Sequence, residues 1–166
     1  RLRIDGLVER PLDRSLADLR ALPARTQITR HDCVEGWSAI GEWQGPQLSR
    51  LLDAAKVRPE ANFIVFRCAD TLFGREYYET IDMVDAYHPQ TIIAHALNGE
   101  PLPEKNGAPL RMRIERQLGY KHAKYVMRIE LRETLAGLYG GKGGHWEDTR
   151  DYAGSHQPER IDYRIR

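Results

Sequence analysis

A chain of 166 residues is one domain's worth, able to bury about 70% of the surface that it exposes when unfolded, so it needs no disulfides to stand. Hydrophobic residues at 41% and charged residues at 30% are the composition of an ordinary globular protein and exclude a disordered or membrane-embedded chain. The net charge of +1, from 25 basic against 24 acidic residues, leaves no single-sign field to draw in nucleic acid or an anionic membrane.

Leu2 and Ile4 alternate with polar neighbours up to Asp5-Gly6, the pattern of a half-buried strand ending in a turn. Ser15 with Asp18 three residues on predicts a capping box, and Leu16, Leu19 and Leu22 share a helical face before Pro23. A second extended stretch, Thr26 to Asp32, leads to Cys33. Pro46 at a first turn, then Leu48, Leu51, Leu52 and Ala55 at helical spacing, predicts the clearest helix.

Phe63 to Phe66 is a brief apolar run ending near Cys68 and reads as a buried strand. Tyr77-Tyr78 opens another extended segment, Ile81 to Tyr87 reads as one or two helical turns ended by Pro89, and Thr91 to Ile93 as a strand before the Asn98-Gly99 turn. Leu110, Met112 and Ile114 alternate, as do Tyr125, Met127, Ile129 and Leu131. The expected fold class is a mixed α+β domain with a largely β core and short helices. Its boundaries are 1–133, with 134–166 as a C-terminal extension wrapping the same domain. Within that extension, Gly140-Gly141-Lys142-Gly143-Gly144 lacks the spacing of a phosphate loop and reads as a linker.

No stretch approaches the run of about 20 apolar residues that spans a bilayer. The chain starts at Arg1 rather than methionine, which suggests processing or trimming, so the missing leader does not argue for the cytoplasm.

A free cysteine is by default a small buried hydrophobe. Cys33, at a strand end with Gly36 just beyond, is also placed to be a ligand. With His31 it makes half a zinc site, and adding Cys68 gives a weak structural-zinc alternative that no CxxC or HxxxH supports.

Four segments in order carry a more specific signal. They are Cys33-Val34-Glu35-Gly36-Trp37-Ser38 with Trp43-Gln44-Gly45, then Asn98 to Pro103, then Asn106 to Arg111, then Gly119 to Tyr125. Together they resemble the molybdopterin-binding domain of the sulfite oxidase family, over about Leu2 to Leu131. The nearest type is the compact bacterial one related to periplasmic methionine-sulfoxide reductase catalytic subunits.

That resemblance implies a sulfite-oxidase-type fold and a molybdenum–molybdopterin cofactor with Cys33 as the metal's thiolate ligand, since a high-valent metal holds a thiol deprotonated. It implies cofactor contacts from Asn106, Arg111, His122, Ala123 and Lys124, with Cys68 as a further contact where relatives often carry a hydroxyl. It also implies an active-site tyrosine, Tyr77 or its neighbour Tyr78. The function expected is oxygen-atom transfer at a sulfur centre, sulfoxide reductase-like. The alternatives are a sulfite oxidase-like dehydrogenase and a non-catalytic module that keeps the fold. The substrate implied is a small sulfur compound or oxidised methionine in proteins. The electron partner implied is a cytochrome or membrane haem protein docking near the tail after Gly140, and the location implied is periplasmic or otherwise extracytoplasmic.

Overall fold

The computed structural model describes residues 1–150. Strand β1 (Leu2–Gly6) is the hub of the larger sheet, pairing parallel with β11 (Val126–Arg132) and antiparallel with the short β2 (Leu12–Arg14). Beyond β11 lie β5 (Phe63–Leu72) and β6 (Arg75–Asp82), giving the order β2-β1-β11-β5-β6. One face of this sheet carries Leu2, Ile4, Ile64, Phe66, Ile81 and Ile129, all fully buried.

Two helices flank that core. In α1 (Leu16–Arg20) the Ser15 hydroxyl accepts from the Asp18 amide at 3.0 Å and the Asp18 carboxylate accepts from the Ser15 amide at 2.8 Å. These are the two reciprocal bonds of a capping box. In α2 (Leu48–Ala55) the residues Leu48, Leu51, Leu52 and Ala55 are buried together. Pro46 is not in its first turn: it ends strand β4 (Ser38–Pro46) opposite Ala24, and Gln47 is the N-cap. A third helix, α3 (Met83–Ala86), is shorter than the sequence pattern suggests because Ile81 and Asp82 complete β6, with Asp82 capping.

The second sheet is a long hairpin, β3 (Ala24–Asp32) with β4, extended by β8 (Ala96–Leu97) and β9 (Glu100–Pro101). Strand β4 escapes sequence reading because Gly41, Gly45 and exposed Ser38, Ala39 and Ile40 blur its alternation. A two-stranded unit, β7 (Ile92–Ala94) with β10 (Arg111–Arg113), lies against β4. At Gly45 the approach is so close that an added Cβ would sit 1.9 Å from the Ile93 carbonyl oxygen.

The glycine stretch 140–144 does not stand off the domain. Gly143 O accepts from Lys121 Nζ at 3.0 Å and from Thr80, and Gly144 bridges to Glu79. Leu135 and Leu138 pack on Val65 and Tyr78, and a last helix, α4 (His145–Arg150), carries His145 and Glu147 inward. The remainder of the expected tail, 151–166, lies outside the described residues.

Gly45→Ala forces two backbones apart, because the blocking atom is a carbonyl rather than a flexible side chain. The expected loss is about 3 kcal/mol, read as a lower urea midpoint, whereas Gly74→Ala, with open space at its tip, tests only the positive φ of a turn.

Candidate active site

The β3–β4 hairpin presents Cys33 at its tip. The Cys33 amide donates to Trp37 O at 2.9 Å and Gly36 N–H returns to Cys33 O at 3.0 Å. Gly36 sits at φ +92, a conformation open to glycine at little cost. On the neighbouring outer face, Asp32 accepts from Ser38 at 2.6 Å and pairs with Arg30 at 2.8 Å, leaving the inner face of the hairpin to His31 and Trp43.

Beneath the tip lies a cavity of about 670 Å³ whose walls include His31, Cys33, Trp43, Asn106, Arg111 and Lys124. They arrive from five places in the chain. Asn106 closes a 3-10 turn (Glu104–Asn106) ended by Gly107 at φ +107. Arg111 projects from β10, and Lys124 from the loop before β11.

Alternation along β10 sends Met112 into the core and turns Arg111 and Arg113 to the cavity side, where both guanidinium groups lie over Trp43, at 5.2 and 4.4 Å from its ring centroid. Arg113 is fully satisfied: Glu115 accepts from its Nε at 2.9 Å and Nη2 at 2.8 Å, and His31 Nδ1 accepts from Nη1 at 2.9 Å. A guanidinium only donates, so the His31 proton sits on Nε2. Burial, with Arg111 and Arg113 nearby, pushes His31 down to about 4, and it is neutral at physiological pH.

Arg111 differs. Its Nη1 donates to Asn106 O at 3.1 Å, but its buried Nε has no partner and, among the described residues, it forms no carboxylate pair. Burial and the Arg113 charge lower it to about 10, still protonated. A buried cation without a counter-charge is costly, and here it faces a cavity.

A smaller cleft adjoins, sharing Arg111, Gly119 and Lys124 with the first and adding Tyr77, His122 and Ala123. Strand alternation separates the two tyrosines: Tyr77 lines this cleft, while Tyr78 points to the opposite face and donates to Asp148. His122 Nε2 donates to Gln117 O at 3.1 Å, leaving Nδ1 as a buried acceptor without a protein partner. Burial and the Arg113 charge hold it well below the ordinary histidine range. Cys68 lines neither space: it is buried in the core opposite Val126, and burial and Asp70 push its thiol up. Both cysteines are free, and among the described residues no three His, Cys, Asp or Glu side chains converge as a zinc site would require.

The cavity walls therefore offer two unpaired buried donors, Arg111 Nε and Trp43 Nε1, and the adjoining cleft an unpaired acceptor, His122 Nδ1. A thiol and a cationic Lys124, whose Nζ hydrogen bond among the described residues is to the Lys105 carbonyl at 3.4 Å, complete the set. A heterocycle with hydrogen-bonding edges and an anionic phosphate fits this donor set, and Cys33 fits a thiophilic metal.

The family described as the oxidoreductase molybdopterin binding domain matches residues 1–138. The chain belongs to that family. A relative from Azospira oryzae named "Putative protein-methionine-sulfoxide reductase subunit YedZ1" is 39% identical over 148 residues, covering 89% of this chain and 52% of the relative. The protein-methionine-sulfoxide reductase catalytic subunit MsrP of Campylobacter jejuni is 34% identical over 142 residues, covering 78% of this chain and 48% of that protein. The chain thus spans about half the length of these curated relatives. The crystal structure of the sulfane dehydrogenase SoxCD from Paracoccus pantotrophus aligns with a TM-score of 0.74 at 26% identity, over 80% of this chain and 38% of that one. The fold is the sulfite-oxidase-type molybdopterin-binding fold expected from the sequence, and the cofactor class of the family is molybdenum–molybdopterin.

Sequence reading missed Arg113, the stacking role of Trp43, and the buried charges behind Tyr77. Arg111 and Arg113 two apart on a strand were a readable sign of a shared face; the indole between them was not.

Arg111→Met removes an unpaired buried charge from the cavity wall. The cofactor-free protein is expected to gain about 1–3 kcal/mol in urea unfolding while its molybdenum content after expression falls. Acid stability follows the two histidines held neutral, His31 and His122. Between about 6.5 and about 4 the unfolded chain takes up a proton that the folded one refuses, so Tm falls as pH is lowered through that window, and falls less steeply in His31→Asn.

Proposed function

We propose that this domain binds molybdenum–molybdopterin through Cys33, Asn106, Arg111, His122, Ala123 and Lys124 and reduces sulfoxides, removing oxygen from sulfur. The observation that carries this reading is the uncompensated Arg111 guanidinium facing the cavity that also receives Cys33. The direction rests on relatives at 39% and 34% identity whose names specify protein-methionine-sulfoxide reductase. A sulfite dehydrogenase-like direction has less support, and a non-catalytic module gives no reason to keep a thiol over an unpaired buried cation.

The reaction balances as a sulfoxide plus two electrons and two protons giving a thioether and water: the S–O bond breaks and two O–H bonds form. The bound cofactor supplies two-electron oxygen-atom chemistry. The protein's residues do the rest. Cys33 holds the metal at the hairpin tip, and the Arg111 and Lys124 charges anchor the pterin and its phosphate. Tyr77 lines the adjoining cleft, its hydroxyl held by Glu79 and Tyr120 O, and burial and Glu79 keep it protonated. The apolar rim of Val34, Trp37 and Ile40, exposed at 40, 50 and 73%, suits a thioether side chain delivered on a polypeptide, so oxidised methionine in proteins is the substrate class proposed.

The electrons come from an external one-electron carrier such as a cytochrome or membrane haem protein. Among the described residues no helix is long and apolar enough to cross a membrane, and a periplasmic setting is part of the proposal, as is 134–166 serving as an extension of the 1–133 domain.

The test is expression in a cofactor-competent host, with molybdenum analysis and turnover of a dialkyl sulfoxide by reduced dye. Wild type should hold about one molybdenum per chain, and Cys33→Ser should lose turnover by at least about a thousandfold. A molybdenum-free wild type, or an active Cys33→Ser, would overturn the reading.

A further inference from the structure

Behind Tyr77 lies a group of charges that cofactor binding does not use. Lys121 is fully buried, on a 3-10 turn (Gly119–Lys121), and its Nζ donates to Glu79 Oε2 at 2.9 Å, to Glu147 of α4 and to Gly143 O. Glu79 and Glu147 are also fully buried. Both carboxylates crowd the same spot, since a Cβ on Gly144 would lie 2.2 Å from Glu79 Oε2 and 2.4 Å from Glu147 Oε2. Two carboxylates against one ammonium leave an excess negative charge that complete burial does not tolerate. One added proton neutralises the cluster.

The other oxygen of Glu79 points the opposite way. Tyr77 Oη lies 2.9 Å from Glu79 Oε1 and 3.2 Å from Tyr120 O, so one hydrogen bond joins tyrosine and carboxyl whichever of the two carries its proton, and Tyr77 is the cluster's neighbour that lines the cleft beside Arg111 and Lys124. We propose that Glu79 stores a proton at neutral pH and relays it through Tyr77 Oη to oxygen leaving the substrate in that cleft. The transfer is a two-bond shift. With the stored proton on Glu79 Oε1, the 2.9 Å contact runs from Glu79 Oε1–H to Tyr77 Oη, and the Tyr77 proton, otherwise held by Tyr120 O, is the one passed outward; Glu79 Oε1–H replaces it, and the Glu79 carboxylate left behind is held by Lys121 until water returns a proton. The second proton of the reaction comes from solvent. Both electrons come from the external carrier of the proposed reaction, on which the final acceptor in this scheme depends. Glu79 does not reach the cleft, so it is a positioning residue that acts through Tyr77.

Complete burial, with Glu147 adding to it against Lys121, raises Glu79 to about 8. The groups bearing on it are Lys121 from its 3-10 turn, Glu147 from α4, Tyr77 and Tyr78 on its own strand and Cys68 on β5. No second cation among them offsets the pair of carboxylates.

Infrared spectroscopy of the purified protein, with and without cofactor, decides storage and route independently of turnover. A neutral-carboxyl C=O band should be present at pH 7, vanish as pH rises through about 8 and be missing in Glu79→Gln. Transfer to D2O should shift the band at least about tenfold more slowly in Tyr77→Phe than in wild type. Glu79→Gln leaves Lys121 paired with Glu147, so it should fold. In the loaded enzyme, its kcat for a small sulfoxide should drop about tenfold to a hundredfold with KM unchanged, and should lose the alkaline fall seen in wild type. Absence of the band in wild type overturns storage, and equal deuteration in Tyr77→Phe overturns the route. An alkaline limb unchanged in Glu79→Gln overturns the relay. Lack of molybdenum or of any sulfoxide turnover counts against the proposed function instead, while the two infrared results still decide whether Glu79 stores a proton and exchanges it through Tyr77.

Discussion

Two guanidinium groups resting on one indole organise the site. Trp43 holds Arg111 and Arg113 over its ring, and desolvated cation–π contacts of this kind contribute about 2 kcal/mol each. The two cations then diverge in fate. Glu115 neutralises Arg113, which in turn fixes the His31 tautomer and draws the β3–β4 hairpin over β10. Arg111 has no such carboxylate among the described residues, and its unbalanced charge at the cavity wall is what the proposed anion-bearing cofactor would meet. The close backbone contact between Gly45 and Ile93 sets the distance over which all this happens.

Arg111 is neither well placed for stability nor free to be something else. An unpaired buried cation weakens the empty fold, and under the proposed function the bound cofactor would offset that cost, the usual tension between folding and function. The same trade recurs behind Tyr77, where two carboxylates share Lys121. There the C-terminal segment, through Gly143, Gly144 and Glu147, completes a charged core that β6 could not close by itself. Residues past the family's matched stretch thereby become part of the environment of a cleft-lining tyrosine.

Much of this was legible in the sequence because local rules and global fold agree. The Ser15–Asp18 box, the Leu48-Leu51-Leu52-Ala55 stripe and the strands at Phe63 and Val126 follow from caps and periodicity alone. Cys33, Asn106, Arg111 and Lys124 stand out as an ordered set of motifs, and the fold brings all four to one cavity. Strand β4 was not legible, since its glycines serve close packing rather than alternation. Cys68 was assigned toward the cofactor by position, yet a register shift between Arg67 and Thr71 lies where register decides which way such a residue points. The Glu79–Lys121–Glu147 group joins residues up to 68 positions apart through contacts that no spacing announces. The four glycines around Lys142 looked like a linker because glycine allows both a loose chain and a close approach, and only the neighbours tell which.

The central claim is that Cys33 and the Arg111 cavity together hold one molybdenum cofactor. X-ray absorption at the molybdenum edge measures this most directly, by counting sulfur ligands in wild type and in a Cys33→Ala protein loaded to the extent it allows. The account predicts that wild type shows the dithiolene sulfurs of the pterin plus one thiolate, and that the variant shows one sulfur fewer. An identical sulfur count in the two proteins would contradict it.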